Sequence, residues 1–458
     1  MIGSLPTETL CRLAADELVQ LAEEGRVVDD LRLIYERATA EGVNGHTARR
    51  AIEEFWAAAE HAPMRDDSAY DEPSDWGSIC SKVKLVESAV PAPDPATLAD
   101  RVYGAWLGRC AGCMLGKPVE GRTRAQVQAL LEIAGEYPLE DYFPVIDDPG
   151  DIPYRRADDD CLRPNIRCSA RDDDTDYTVL GLHMAKTYGM GLTPAEVGAE
   201  WMMRLPYMKT YTAERAAYRN LVMGVPADQA ATVLNPYREW IGAQIRCDAF
   251  GYAGAGQPWI AAWLAYQDAA LSHTKNGIYG EIFFATLIAE SLVREFPELR
   301  ECIESALLFI PSGSRFAEMV RAVSGWCDDD PGWQITWDRI SRAYGHCHPV
   351  HTINNAALVL MGLLHSGGDF GRAVSIAVMG GWDTDCNGAT AGSVMGALLG
   401  EEALPAKWTE PLNDTLHSAI DGYQMRRISD LSEETIQVIR KLQQQGPEQH
   451  LTVVPETP

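Results

Sequence analysis

Positive charge is scarce in this 458-residue chain: 39 Lys and Arg stand against 66 Asp and Glu, a formal net charge of −27. A field of that sign repels phosphate backbones and anionic lipid surfaces, so neither nucleic acid nor a membrane is expected as a partner. A small anionic substrate stays possible, because a bound divalent ion or a helix N-terminus reverses the potential locally. Long apolar runs are missing too; each is cut by charge or is too short to span a bilayer. The opening residues, MIGSLPTETLCRLAADELVQLAEEG, have no basic-then-apolar leader, and a cytoplasmic location is expected. Alternating β-branched runs are few, which argues against an extended sheet, and no repeat of solenoid period occurs. The 11 cysteines are odd in number and scattered, unlike a disulfide framework. Cys110 and Cys113 form one CxxC with neither a second pair for zinc nor a βαβ context for redox work. The run HCHPVH (His346, Cys347, His348, His351) is denser in soft ligands, but Pro349 inside it reads first as an irregular helix entry.

What is present is helical periodicity. With 46% hydrophobic and 23% charged residues, the chain can bury a sizeable core in two or three domains. Residues 5 to 62 are rich in helix formers, as in ETLCRLAADELVQLAEEG and TARRAIEEFWAAAEHA. The acidic stretch MRDDSAYDEPSDWGS and the Pro-rich residues 89 to 100 read as connection and semi-rigid linker. The expected division is a helical N-terminal extension over 1–95, a main domain over 96–430, and a helix end and tail over 431–458. Within the main domain two stripes stand out: Gly104, Gly108, Gly112 and Gly116, and Gly388, Gly392, Gly396 and Gly400. Each interior glycine costs a helix about 1 kcal/mol relative to Ala, which close backbone packing would have to offset.

Carboxylates gather at two helix starts. GGWDTDCNGATAG places Asp383 and Asp385 two residues apart, a spacing that points them about 200° from each other within a helix. From a loop feeding the helix they could converge on one target, and a hard divalent cation would relieve their repulsion. An Asp N-cap after a turn Asp is the simpler alternative. RDDDTDYTVLGL adds Asp172, Asp173, Asp174 and Asp176, more acid than capping needs. Two groups of oxygen ligands around one or two Mg²⁺ or Mn²⁺ ions would account for the surplus.

In order, GAWLGRCAGCMLGKPVEG, DDDTDYTVLGL and GGWDTDCNGATAGSVMGALLG resemble the three signature segments of the ADP-ribosylglycohydrolase family, which includes the dinitrogenase-reductase-activating glycohydrolases. The resemblance covers about residues 101 to 428. It implies an all-α orthogonal helical bundle with a binuclear magnesium or manganese site, hydrolysing an N- or O-glycosidic bond to the anomeric carbon of a ribose. It places metal ligands at Asp172, Asp173, Asp174, Asp383 and Asp385 and makes Glu120 the residue that positions or deprotonates water. Asp172 stands where the family has a ligand threonine, Cys386 replaces a second threonine, and Cys113 replaces an aspartate. In LSHTKNGIYGEIFF, which resembles a family loop between the second and third segments, His273, Asn276, Gly277 and Tyr279 are candidate substrate contacts. Asp248 in RCDAFGYAGAG is a weaker candidate. The expected substrate is a small ribosylated molecule or an ADP-ribosylated protein; a catalytically weak ADP-ribose or nucleotide-binding module is the alternative.

Overall fold

The computed structural model describes residue 3 and residues 5–40, 46–84, 90–91, 93–157 and 159–444. The first three helices, α1 (Thr7–Glu23), α2 (Asp29–Thr39) and α3 (His46–Ala59), precede a short turn of helix, α4 (Trp76–Cys80). Next come α5 (Pro95–Gly116), α6 (Arg124–Ala134), α7 (Asp173–Tyr188), α8 (Pro194–Arg204), α9 (Thr212–Val222), α10 (Asp248–Ala253) and α11 (Pro258–Ala269). They are followed by α12 (Asn276–Ser291), α13 (Leu299–Leu307), α14 (Arg315–Asp329), α15 (Trp333–Tyr344), α16 (Thr352–Leu364), α17 (Phe370–Met379) and α18 (Thr384–Leu399). After α19 (Ala406–Thr409), the antiparallel strands β1 (Thr415–His417) and β2 (Met425–Arg427) pair Leu416 with Arg426, and α20 (Ile428–Gln443) ends the described chain. Apart from that ribbon, the elements of the described residues are all helical. Among the described residues, no helix is long and apolar enough to cross a membrane.

The N-terminal helices have a core of their own, built on Leu10, Leu13, Leu21, Ile52, Phe55 and Trp56. That core is completed by Ala213, Leu234, Tyr237 and Trp240 of the main body, so the extension is docked rather than tethered. Ion pairs reinforce the seam: Arg238 reaches Glu17 at 2.8 Å and Glu24 at 2.6 Å, and Lys275 reaches Glu24 at 2.7 Å. The expected linker over 89–100 needs correction. Pro95 opens α5 at a position where its missing N–H costs nothing, and Asp94 caps it by accepting from Ala96 and Thr97. Residues 95–100 are therefore helix; residues 89 and 92 lie outside the described residues. At the other end the helix expected beyond residue 430 is the greater part of α20. This amphipathic helix buries Ile428, Leu431, Val438, Ile439 and Leu442, and its Thr435 accepts a 3.0 Å hydrogen bond from the Trp106 indole of α5. The expected tail from 445 onward lies outside the described residues.

Helices without a polar face form the centre. Every residue of α12 is buried, as are residues 104–116 of α5, 352–363 of α16 and 384–398 of α18. Amphipathic helices such as α13, α14, α15 and α20 surround them, each with an apolar stripe turned inward. The glycine stripes are where α5 and α18 cross. A Cβ on Gly108 would lie 2.1 Å from the Gly392 carbonyl oxygen, one on Gly112 1.9 Å from that of Gly388, and one on Gly116 2.1 Å from that of Thr384. Each four-residue step up α5 is matched by a four-residue step down α18, so the helices run antiparallel with backbones in direct contact. Gly400 is not part of the helical stripe; it terminates α18 at φ +79°.

Candidate active site

Antiparallel packing brings the C-terminal end of α5 to the N-terminal end of α18. Beyond Gly116 the chain makes one tight turn, Lys117–Val119, and presents Glu120. The Thr384 hydroxyl donates to the Gly116 carbonyl at 2.8 Å, tying the two ends together. A two-way backbone clasp then fixes Glu120: Gly121 N–H donates to Trp382 O at 2.9 Å and Trp382 N–H donates to Arg122 O at 2.8 Å. Gly381 makes the clasp possible. It sits at φ +81°, and a Cβ there would lie 2.6 Å from the backbone nitrogen of Arg124. From the other side Asn355 of α16 accepts from Asp383 N–H at 3.2 Å and from the Asn387 amide at 2.9 Å.

The start of α7 completes the arrangement, so two helix N-termini, which favour negative charge, face one another across the end of α5. Carboxylates of Glu120, Asp383 and Asp385 have ligand atoms within 4.8 Å of one another. Asp174, Asp385 and Cys386 form a second such triad, and Cys113, Asp172 and Asp174 a third. Asp173, the remaining expected ligand, belongs to none of the three. The first triad offers oxygen only and opens to solvent through Glu120, whose side chain is 55% exposed. Partial desolvation and then the charges of Asp383 and Asp172 push Glu120 up to about 7. Burial, followed by Glu120 and Asp383, pushes Asp385 well above the usual carboxylate range. Such mutual repulsion in a buried group is what a divalent cation relieves, and three carboxylates suit magnesium or manganese. The residues of this triad fit the metal implied by the sequence. Cys386 is a different matter: burial and the nearby carboxylates push its thiol well above its usual value, so it stays protonated.

Two cations are built into the cluster. Lys117 Nζ lies 3.0 Å from Asp172 Oδ2 and donates to the Arg171 carbonyl at 2.6 Å. Arg109, wholly buried in α5, stands 3.1 Å from Asp174 and 2.8 Å from Asp248 and donates to the Thr178 hydroxyl and the Ile245 carbonyl. Asp248 thus stands behind the cluster as the counter-ion of Arg109. Removing Arg109 would strand two buried carboxylates, so Arg109→Met is expected to lose about 3–5 kcal/mol in urea unfolding. A loss below about 1 kcal/mol, the scale of an exposed pair, would show that this ion pair does not hold the helices together. Asp176 is also structural, pairing with Arg171 at 2.7 Å and accepting from Ala419 N–H at 2.7 Å.

The 272–279 segment is not brought to these carboxylates. His273 is buried and hydrogen-bonded to the Ser272 hydroxyl at 2.8 Å, and burial followed by Arg246 holds it well below its usual value, hence neutral. Asn276 donates to Glu239 and accepts from Phe316 N–H, Tyr279 donates to the Pro73 carbonyl, and a Cβ on Gly277 would meet the Arg238 carbonyl at 2.6 Å. These contacts join α12 to α14 and to the segment after the N-terminal helices. In HCHPVH, His348 stacks on Trp240 at 3.9 Å and His351 caps α16 through Nδ1, so the helix-entry reading holds. Sequence reasoning passed over Arg109, Lys117 and Asn355. A lone arginine in the apolar stripe GAWLGRCAGCMLG was the available signal, since a charge there has to be paired. Nothing local marks Lys117 or Asn355.

An all-α body in which helix termini gather carboxylates beside one exposed glutamate defines a helical protein with a carboxylate-lined site. A sequence model of the ADP-ribosylglycohydrolase family matches residues 94–445, and the chain belongs to that family, with its all-α fold. Among solved structures, one described as an ADP-ribosylglycohydrolase-related protein complex is similar, at 18% identity and a TM-score of 0.47, over 76% of this chain and 99% of that one. No curated protein matches at a significant level.

Proposed function

We propose that this protein is a metal-dependent glycohydrolase that cleaves a ribosyl linkage, on a small riboside or on an ADP-ribosylated protein. The observation that carries the reading is the gathering of Glu120, Asp383 and Asp385, from the ends of two different family segments, within 4.8 Å of one another. Asp383 and Asp385 would hold a magnesium or manganese ion, which when bound supplies positive charge for the ribose hydroxyls and for water. Glu120, at the exposed edge, accepts the proton of the water that attacks the anomeric carbon. A value of about 7 suits that role, because the carboxylate is then both available and basic near neutral pH. The carbon–nitrogen or carbon–oxygen bond breaks through an oxocarbenium-like state, and the leaving atom takes up a proton. Asn355 and the Gly121–Trp382 clasp keep Asp383 and Glu120 in register.

A second reading has one observation in its favour. A thiol at Cys386 occupies a place where the family carries a ligand threonine, as a weakly catalytic ADP-ribose or nucleotide-binding module could tolerate. Incubation with ADP-ribosyl-arginine and ADP-ribosyl-serine peptides and with small N-ribosides, with Mg²⁺, Mn²⁺ or EDTA, separates the two. The enzyme reading expects release of ribose or ADP-ribose that EDTA stops and that Glu120→Gln lowers by at least about a hundredfold. Binding of ADP-ribose without release from any substrate would establish the module instead.

A further inference from the structure

Resting on the metal-dependent reading above, we propose that this chain binds a single divalent ion, held by Asp383 and Asp385 beside Glu120, and that the Lys117 ammonium permanently takes the place of a second ion beside Asp172. The three triads form a row in which Asp174 and Asp385 are each shared by two neighbours. The built-in cations are distributed unevenly along that row. At one end both oxygens of Asp172 are engaged: Oδ1 accepts from Asp174 N–H at 3.2 Å as the α7 cap, and Oδ2 lies 3.0 Å from Lys117 Nζ. Asp174 is held by Arg109 at 3.1 Å, and the third corner is a sulfur, Cys113, a poor ligand for a hard cation. At the other end, among the described residues, neither Asp383 nor Asp385 forms an ion pair, and Glu120 has only Arg155 at 3.9 Å. Within the row, carboxylates without a close cation are therefore confined to one end.

Lys117 is fixed where it stands. Its side chain is 15% exposed, its ammonium donates to the Arg171 carbonyl at 2.6 Å, and its own carbonyl accepts from Arg155 at 2.8 Å. It also follows directly on α5, whose C-terminal carbonyls favour a cation. A second divalent ion at Asp172 would have to displace an ammonium that two acceptors already hold. One charge at that position, supplied covalently, needs no metal in the medium.

Stoichiometry tests this without reference to turnover. Calorimetric titration of the full chain with Mn²⁺, with electron paramagnetic resonance at saturation, should give one ion per chain and the six-line spectrum of an isolated ion. Lys117→Met should admit a second ion and show the coupled spectrum of a pair, whereas Lys117→Arg should retain one. Asp172→Asn, which keeps the helix cap, should still bind one ion with an affinity change of no more than about tenfold. Two ions in the unaltered protein would overturn the proposal while leaving a metal-dependent enzyme. Abolished binding in Asp172→Asn would make Asp172 a ligand and overturn it, as would one ion in a folded Lys117→Met. No Mn²⁺ bound by the unaltered protein would overturn both this proposal and the reading it rests on.

Discussion

Gly112→Ala is expected to destabilise the protein by about 3 kcal/mol or more, the upper end of what insertion into a packed interior costs. The added carbon would lie 1.9 Å from the Gly388 carbonyl oxygen and 2.4 Å from its carbon. Those atoms are backbone, so no rotamer change relieves the clash; α5 and α18 must separate along their whole contact. Alanine's helix preference works the other way by only about 1 kcal/mol, so the sign of the measured change decides whether the crossing is rigid. Gly325 supplies the control. It lies in α14, where an added methyl would meet nothing within 4 Å, and Gly325→Ala should stabilise by up to about 1 kcal/mol. Thermal and urea unfolding of the two variants check the pair; a Gly112→Ala protein as stable as Gly325→Ala would show that the helices can part freely. Separation should also reach the chemistry, because the same crossing ends at the Thr384–Gly116 hydrogen bond that sets Glu120 beside Asp385. Activity should accordingly fall at temperatures where Gly112→Ala is still folded.

The glycine stripes show which structural features a sequence can carry. Their four-residue spacing is local, and small residues on one helical face have few uses other than close approach, so the stripes point to a crossing without naming its partner. The surplus of carboxylates at 172–174 and 383–385 was legible for a related reason: it exceeds what capping requires. The linker was drawn too long because proline describes a segment's composition, whereas Asp94 acts through cap contacts that composition does not reveal. In the 272–279 segment the residue types are those of a binding loop, but Asn276, Gly277 and Tyr279 are taken up by joins between elements. The Lys117–Asp172 and Arg109–Asp174 pairs link positions more than fifty residues apart, and a charge's partner at that separation is a property of the packed fold. What the sequence could not show, then, was how the cluster's own cations divide it into a compensated and an uncompensated half.

That uncompensated half makes Asp385→Asn the most informative substitution. It is expected to reduce metal-dependent turnover by at least about a hundredfold, because it removes a carboxylate proposed to hold the cation at the centre of the row. It should nonetheless stabilise the metal-free protein at pH 8. Burial, with Glu120 and Asp383 next to it, raises Asp385 well above its ordinary value, and Glu120 itself rises from 4.5 to about 7. A folded state with raised carboxyl values retains protons that the unfolded chain gives up between about pH 4.5 and 7. More protons are bound folded than unfolded across that window, so stability is greatest on its acid side and is lost as pH rises through it. The metal-free wild type should therefore melt higher at pH 5.5 than at pH 8, and saturating Mg²⁺ or Mn²⁺ should reverse much of the loss by binding only the folded, deprotonated site. In Asp385→Asn the central charge is gone at every pH, Glu120 loses a repelling neighbour, and the pH dependence should flatten while the response to metal disappears. Melting temperatures between pH 5.5 and 8, with EDTA or with metal, measure all of these effects. A variant profile as steep as that of the wild type, or an undiminished metal shift, would remove Asp385 from the cation site and leave Glu120 and Asp383 to be explained as ordinary caps of a helix end.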